Sequence, residues 1–173
     1  MNQEIFQSVL APEIAPLFRY LRRIGVREAD IEDVVQEVLV TVGLRWSDYD
    51  STRPLRPWLF AFATRVAWSW RRSARSTRES LSSDEPDEPG DGALSAHDEL
   101  ERKQRRQLVI DALQTLEEEQ RVVFVMIELE SMTAPEVAAA LNLNLNTAYS
   151  RLRLARAAFT AAVRRLSAQR GAP

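Results

Sequence analysis

Between residues 84 and 101 the chain reads DEPDEPGDGALSAHDELE, with eight acidic residues, no basic one, two prolines and two glycines. Such a stretch has too little apolar surface to offset the entropy of folding on its own. It therefore divides the chain. Residues 1–83 hold 12 basic and 10 acidic residues, and residues 102–173 hold 11 and 7. A net charge of −2 thus conceals two mildly basic modules on either side of an acidic tether. We expect a module over 1–80, a tether over 81–102 and a module over 103–170. Each module, at roughly 70–80 residues, is large enough for a small helical core. The 45% hydrophobic content supplies that core.

Composition removes whole classes of chemistry. There is no Cys and one His, His97. Disulfides, thiol nucleophiles and Cys-ligated metals are excluded, and a His metal cluster is impossible. No nucleophile–base pair or Gly-rich phosphate loop stands out, so an enzyme is the poorest fit and no cofactor or metal is expected. No run of 18 apolar residues predicts membrane insertion. The start, MNQEIFQSVLAPE, lacks the basic segment of a secretory signal, which predicts a cytoplasmic chain.

Both modules read as helix throughout, so the fold class is all-α with two small helical domains. Ile14, Leu17, Phe18, Leu21 and Ile24 recur at helical spacing, and Gly25 stands just past the end. A helix over 29–46 has Ile31, Val34, Val35, Val38 and Val42 as its core stripe. Its opposite face carries Asp33, Gln36, Glu37, Val40 and Leu44. Acids and an amide mixed with aliphatics suit a protein partner. A helical core with two stray aliphatics explains the same pattern.

The helix over 57–78 has an inner stripe of Leu59, Phe62, Ala63, Val66 and Trp70. Its outer face is expected to show Phe60, Thr64, Arg65, Trp68, Arg71, Arg72 and Arg75. An indole among guanidinium groups fits unstacked bases and their phosphates. The polar, Pro-stiffened loop 47–57 before it could receive an extruded base. The competing expectation is that Trp68 packs on the second module.

Helices are expected near 103–115, 117–130, 133–141 and 146–167. Thr133-Ala134-Pro135-Glu136 is a capping box with an early proline. Asn142-Leu143-Asn144-Leu145 is expected to form a short turn with asparagine available for left-handed geometry, and Asn146 is expected to cap the last helix. That helix buries Ala148, Leu152, Ala155 and Phe159. It shows Asn146, Ser150, Arg153, Leu154 and Ala157 outward, with Tyr149, Arg156 and Arg151 on the flanks. Short polar and Arg side chains at such a helix start suit the major groove, so 132–157 reads as a helix-turn-helix. An ordinary helical hairpin would share the pattern.

Taken together, the chain resembles bacterial RNA polymerase sigma factors of the extracytoplasmic-function type. Asp30-Ile31-Glu32-Asp33-Val34-Val35-Gln36-Glu37 is similar to the D-A-E-D-L-V-Q-E motif that binds core polymerase. Arg56-Pro57-Trp58-Leu59 resembles the R-x-W-L of the promoter-melting helix. Leu116 through Arg156 resembles the C-terminal helix-turn-helix. The chain departs from the family pattern at Gly43, Thr64, Ser69, Asn144, Asn146, Tyr149 and Leu154.

The resemblance implies a transcription initiation factor, not an enzyme. Asp30, Glu32, Asp33, Gln36, Glu37, Val40 and Leu44 would dock on the clamp of the largest polymerase subunit, and the flap of the second would be a further contact. Tyr49, Arg53, Arg56, Trp58, Arg65, Trp68, Ser69 and Arg72 would hold the −10 element. Thr133, Asn146, Thr147, Tyr149, Ser150 and Arg153 would meet the −35 element, with Arg121, Arg151 and Arg156 on phosphates. An anti-sigma partner, or packing of the modules on one another, would bury these faces. The acidic tether would thread the polymerase cleft or act only as a tether. The alternative is a stand-alone helix-turn-helix regulator with an N-terminal sensor. A protein-binding adaptor is a third reading, which leaves the Trp68 and arginine face unexplained.

Overall fold

The computed structural model describes residues 3–77 and 96–170. Residues 81–95 of the expected tether lie outside these. Seven α-helices run through the described residues, with no strand among them. They are α1 (Gln3–Ile24), α2 (Glu28–Leu44), α3 (Leu55–Thr77), α4 (Ala96–Gln114), α5 (Glu118–Phe124), α6 (Ala134–Ala140) and α7 (Leu145–Arg170). A 3-10 turn, Trp46–Asp48, follows α2, and α5 runs on into a π-turn, Val125–Leu129. Residues 96–102, expected as tether, are the start of α4.

Helix α1 extends well before its apolar stripe, through Pro12 and Pro16. Each proline lacks a backbone donor. Packing of Leu10, Leu17, Tyr20 and Leu21 supports the helix around them, all four being buried. The helix stops in a Schellman motif: Gly25 N–H donates to Arg22 O and Val26 N–H to Leu21 O. Gly25 sits at φ +99°, which only glycine adopts without strain.

Helix α2 buries the expected stripe of Ile31, Val34, Val35, Val38 and Val42. Helix α3 differs from expectation. Phe60 and Thr64, assigned to its outer face, are fully buried. The Phe60 ring stacks on Tyr20 at 4.1 Å. The Thr64 hydroxyl donates to Phe60 O at 2.8 Å, so the Tyr20 hydroxyl is the donor in its 2.6 Å contact with Thr64 Oγ1. Burial of that phenol pushes its pKa up. The reason is that α3 packs on α1 and α2 at once, and also touches α6. A helix wedged among three neighbours buries more than one stripe.

In the C-terminal module, α7 packs on α4, α5 and α6. Thr133 caps α6 in a reciprocal capping box with Glu136. Helix α6 ends in a second Schellman motif, with Asn142 at φ +54° as the left-handed residue. The cap of α7 is Asn144 and not Asn146: its side-chain oxygen accepts from Asn146 N–H at 2.9 Å. Ala148, Leu152 and Ala155 are buried, and Phe159 meets Phe124 at 4.8 Å.

The two modules share one continuous core, in which α1 packs on α4 and α5 and α3 on α6.

Candidate polymerase and promoter interfaces

Helix α2 turns a mixed face to solvent. Glu32, Asp33, Gln36 and Glu37 are exposed, and beside them Val40 and Leu44 are 63% and 79% exposed. The two aliphatics open to water on the face opposite a fully buried stripe. Asp30 does not belong to this face. It is buried in the first turn of α2, where Arg27 Nε donates to its Oδ2 at 2.7 Å and the helix dipole favours a carboxylate.

The loop before α3 and the start of α3 build an aromatic cluster. Tyr49 meets Trp58 at 5.1 Å and Trp46 at 5.4 Å, and Trp58 meets Phe62 at 4.8 Å. Trp46, Tyr49, Trp58 and Phe62 are all half-buried, so the cluster keeps part of its surface open. Arg65 lies over the Phe62 ring at 4.4 Å, and partial burial lowers its pKa. The loop is braced locally. Asp50 accepts from Thr52 N–H and Thr52 Oγ1 at 3.0 and 2.6 Å, which holds its carboxyl below the usual range. The Tyr49 hydroxyl donates to Arg53 O at 2.8 Å. Trp46 was absent from the sequence-predicted set. A Trp three residues before Tyr49, in an otherwise polar loop, was the signal that could have found it.

Beside the cluster, Arg65, Ser69 and Arg72 are exposed along α3, and Arg53 is exposed in the loop, paired with Asp50 at 3.3 Å. Two expected members of this set are engaged elsewhere. Arg56 is held by Glu13 of α1 through hydrogen bonds of 2.7 and 3.1 Å. Trp68 is half-buried against the core, because α3 is flanked by both modules, and neighbouring Arg71 pairs with Glu118 of α5. The side chain of Arg75 lies outside the described residues, as does that of His97.

On α7, Asn146, Thr147, Tyr149, Ser150 and Arg153 are exposed on the face opposite the buried stripe. A surface groove runs from Tyr149 past Arg153 and Arg156 to Thr160 and Arg164. Arg151 pairs with Glu119, and Arg156 donates to Glu128 at 2.9 and 2.5 Å, so both are tied to α5 and its π-turn. Thr133 is exposed, but its hydroxyl is spent in the capping box. Arg121 is the clearest departure. It is 4% exposed and donates to Ile24 O, Gln114 Oε1 and Leu116 O, so it meets no phosphate here. The packing of the modules therefore leaves the α2 and α7 faces open instead of burying them, because it uses other sides of the helices.

Two family models match the chain: Sigma-70 region 2 over residues 13–77 and Sigma-70, region 4 over residues 106–159. RNA polymerase sigma factor CnrH of Cupriavidus metallidurans is 31% identical, over 92% of this chain and 87% of that protein. ECF RNA polymerase sigma factor SigL of Mycobacterium tuberculosis is 32% identical, over 87% and 84%. The chain belongs to the sigma-70 family, in its extracytoplasmic-function group. Region 2 thus takes in α2, the aromatic cluster and α3, and region 4 takes in the helix-turn-helix. Its role is promoter-specific initiation of transcription with core RNA polymerase. A solved structure of CnrH in complex with the cytosolic domain of CnrY has a TM-score of 0.65 at 28% identity, covering 92% of this chain and 88% of that one. The fold also matches the sigma factor RpoE of Bartonella quintana, solved with the anti-sigma factor NepR, at TM-score 0.73 and 19% identity over 93% and 98%. No described helix is long and apolar enough to cross a membrane.

Proposed function

We propose that this sigma factor divides its work among three open faces. Glu32, Asp33, Gln36, Glu37, Val40 and Leu44 of α2 dock on the polymerase clamp. The acids orient the encounter and the aliphatics supply desolvated contact. The exposure of Val40 and Leu44 opposite a complete core stripe is the observation that carries this reading. The cluster of Trp46, Tyr49, Trp58 and Phe62, with Arg53, Arg65, Ser69 and Arg72, receives unpaired bases of the −10 element. Stacking is worth about 1–3 kcal/mol per base, so captured bases favour the open strand over the duplex. Asn146, Thr147, Tyr149, Ser150 and Arg153 read the −35 element in the major groove, and Arg151 and Arg156 approach phosphates. Asp30, Arg56, Arg121 and Thr133 support these faces from within the fold.

The factor binds and melts without bond chemistry of its own and works in the cytoplasm, where the polymerase is. An anti-sigma protein governs it, in keeping with the complexes in which CnrH and RpoE were solved. The test is run-off transcription with core polymerase over a promoter library. Specific initiation that depends on Leu44 and Arg153 supports the reading. A protein that neither binds core nor confers specific starts sinks it.

A further inference from the structure

Helix α7 shows two strips to solvent, and they differ in chemistry. One is cationic: Tyr149, Arg153, Arg156 and Arg164 line a single groove along it. The other is uncharged. Thr147, Ser150, Leu154 and Ala158, spaced three or four residues apart, fall in one row and are all exposed. Arg151, which borders that row, is tied to Glu119 of α5.

Leu154 is the large apolar member of the row. It is 45% exposed and lies outside the core, while Leu152 and Ala155 of the same turn are buried. A single exposed leucine is ordinary on most of a protein surface. Here its place gives it a use. It stands one turn beyond Ser150 on the helix that the three-face reading puts in the major groove. Helix α7 rises about 1.5 Å per residue, so Leu154 lies roughly 6 Å past Ser150, close to two base-pair steps of about 3.4 Å.

A branched aliphatic side chain neither donates nor accepts a hydrogen bond. In the major groove guanine, cytosine and adenine present only donors and acceptors, which leucine would desolvate without replacing their water. Thymine alone among the four bases also presents an apolar group there, its C5 methyl. The hydroxyls of Thr147 and Ser150 both donate and accept, so they accommodate more than one base, whereas Leu154 favours a single one.

We infer that Leu154 is a specificity-determining residue of the −35 contact, seated against the C5 methyl of a thymine. Arg153 supplies hydrogen bonds from the neighbouring strip, and Leu154 supplies the apolar contact. The inference rests on the helix-turn-helix part of the three-face reading and adds the base that one side chain selects.

The test uses the full-length factor bound to core polymerase. Its promoter duplexes carry deoxyuridine in place of one −35 thymidine at a time, on either strand. Uracil keeps the hydrogen-bonding edge of thymine and lacks only the methyl. At one position the exchange should weaken binding about fourfold, the worth of one buried methylene-sized group. At that same position 5-methylcytosine should bind better than cytosine by a similar factor. Leu154→Ala should abolish both effects and keep the helicity and melting of the parent. Leu154→Arg should move the preference from thymine to guanine, whose O6 and N7 accept from a guanidinium. A selected −35 element without thymine, uracil tolerated by the parent at every position, or an equal uracil penalty in parent and Leu154→Ala would each overturn the inference. So would a Leu154→Ala variant that weakens core binding and still discriminates against uracil, since Leu154 would then be a protein contact. The uracil exchange is read on the parent protein, so it decides the matter even where a variant fails to fold. A factor whose starts ignore the −35 sequence altogether sinks the helix-turn-helix reading, whereas a sequence preference without methyl sensitivity sinks this inference alone.

Discussion

Arg56 grips Glu13 through two hydrogen bonds, 2.7 and 3.1 Å long, tying the start of α3 to the middle of α1. The pair fixes the angle at which α3 presents Trp58, two residues further on. Both side chains are partly screened, since Arg56 is 39% and Glu13 16% exposed. Arg56→Ala should therefore cost only about 0.5–1 kcal/mol in urea unfolding. Arg53, exposed in the loop, should behave in the opposite way. Arg53→Ala should leave stability within about 0.5 kcal/mol but slow open-complex formation. Equal effects of the two substitutions on promoter opening would contradict this division.

The α2 face makes a prediction about affinity. Val40→Asp and Leu44→Asp place charge where the proposed contact is desolvated, at exposed positions outside the core. Each should weaken binding to core polymerase roughly tenfold, since a central interface residue contributes on the order of 1–2 kcal/mol. Melting temperature and helicity should stay as in the parent. Affinity measured by fluorescence anisotropy, with Asp33→Ala and Glu37→Ala alongside, checks the assignment. Unchanged binding in all four would remove α2 from the interface.

The α2 face was legible in the sequence because its partners α1 and α3 are both met by a single buried stripe. A 3.6-residue period then separates Val34 and Val38 from Val40 and Leu44 without ambiguity. Helix α3 was harder to read. Its neighbours lie on several sides, so Phe60 and Thr64 have the same spacing as an outer face yet fill the core. Only the pairing of Tyr20 with Thr64, 44 residues apart, discloses this, and no local pattern carries such a contact. Arg121 failed for a related reason. An arginine in a helix-turn-helix module suggests phosphate, whereas its partner Ile24 O is a backbone atom of the other module. Asn144 lost out to Asn146 in the reading of the α7 cap because helix ends shift by a residue or two without altering the apolar stripe.

Salt dependence separates phosphate contacts from base stacking. Arg65 and Arg72 lie exposed beside the aromatic cluster, and Arg153 lies exposed on α7. Arg72→Ala should weaken promoter binding by holoenzyme and lower the slope of log affinity against log salt by about 1, the signature of one lost phosphate contact. Arg153→Ala should cost about 1–3 kcal/mol and also relax preference at one −35 base pair. Tyr49→Ala should weaken capture of a single-stranded −10 oligonucleotide with little change in salt slope. A reduced slope for Tyr49→Ala with none for Arg72→Ala would reverse these roles.

The capping box at the start of α6 gives a pH dependence whose sign can be worked out. Thr133 N–H and Oγ1 both donate to the Glu136 carboxylate at 2.7 Å, and these bonds hold its pKa below the ordinary value of 4.5. A carboxyl with a depressed folded pKa contributes stability that is complete above its unfolded value and is lost as pH falls through the folded one. Thr133→Ala should cost about 1 kcal/mol at neutral pH, the usual worth of such a cap, and Thr133→Ser should recover most of it. Below pH 4.5 the gap between parent and Thr133→Ala should narrow as Glu136 takes up a proton. Urea unfolding of parent and variant from pH 7 downward reads that gap directly. If Thr133 instead served mainly as a −35 contact, Thr133→Ala would weaken duplex binding and leave the unfolding midpoint in place at every pH.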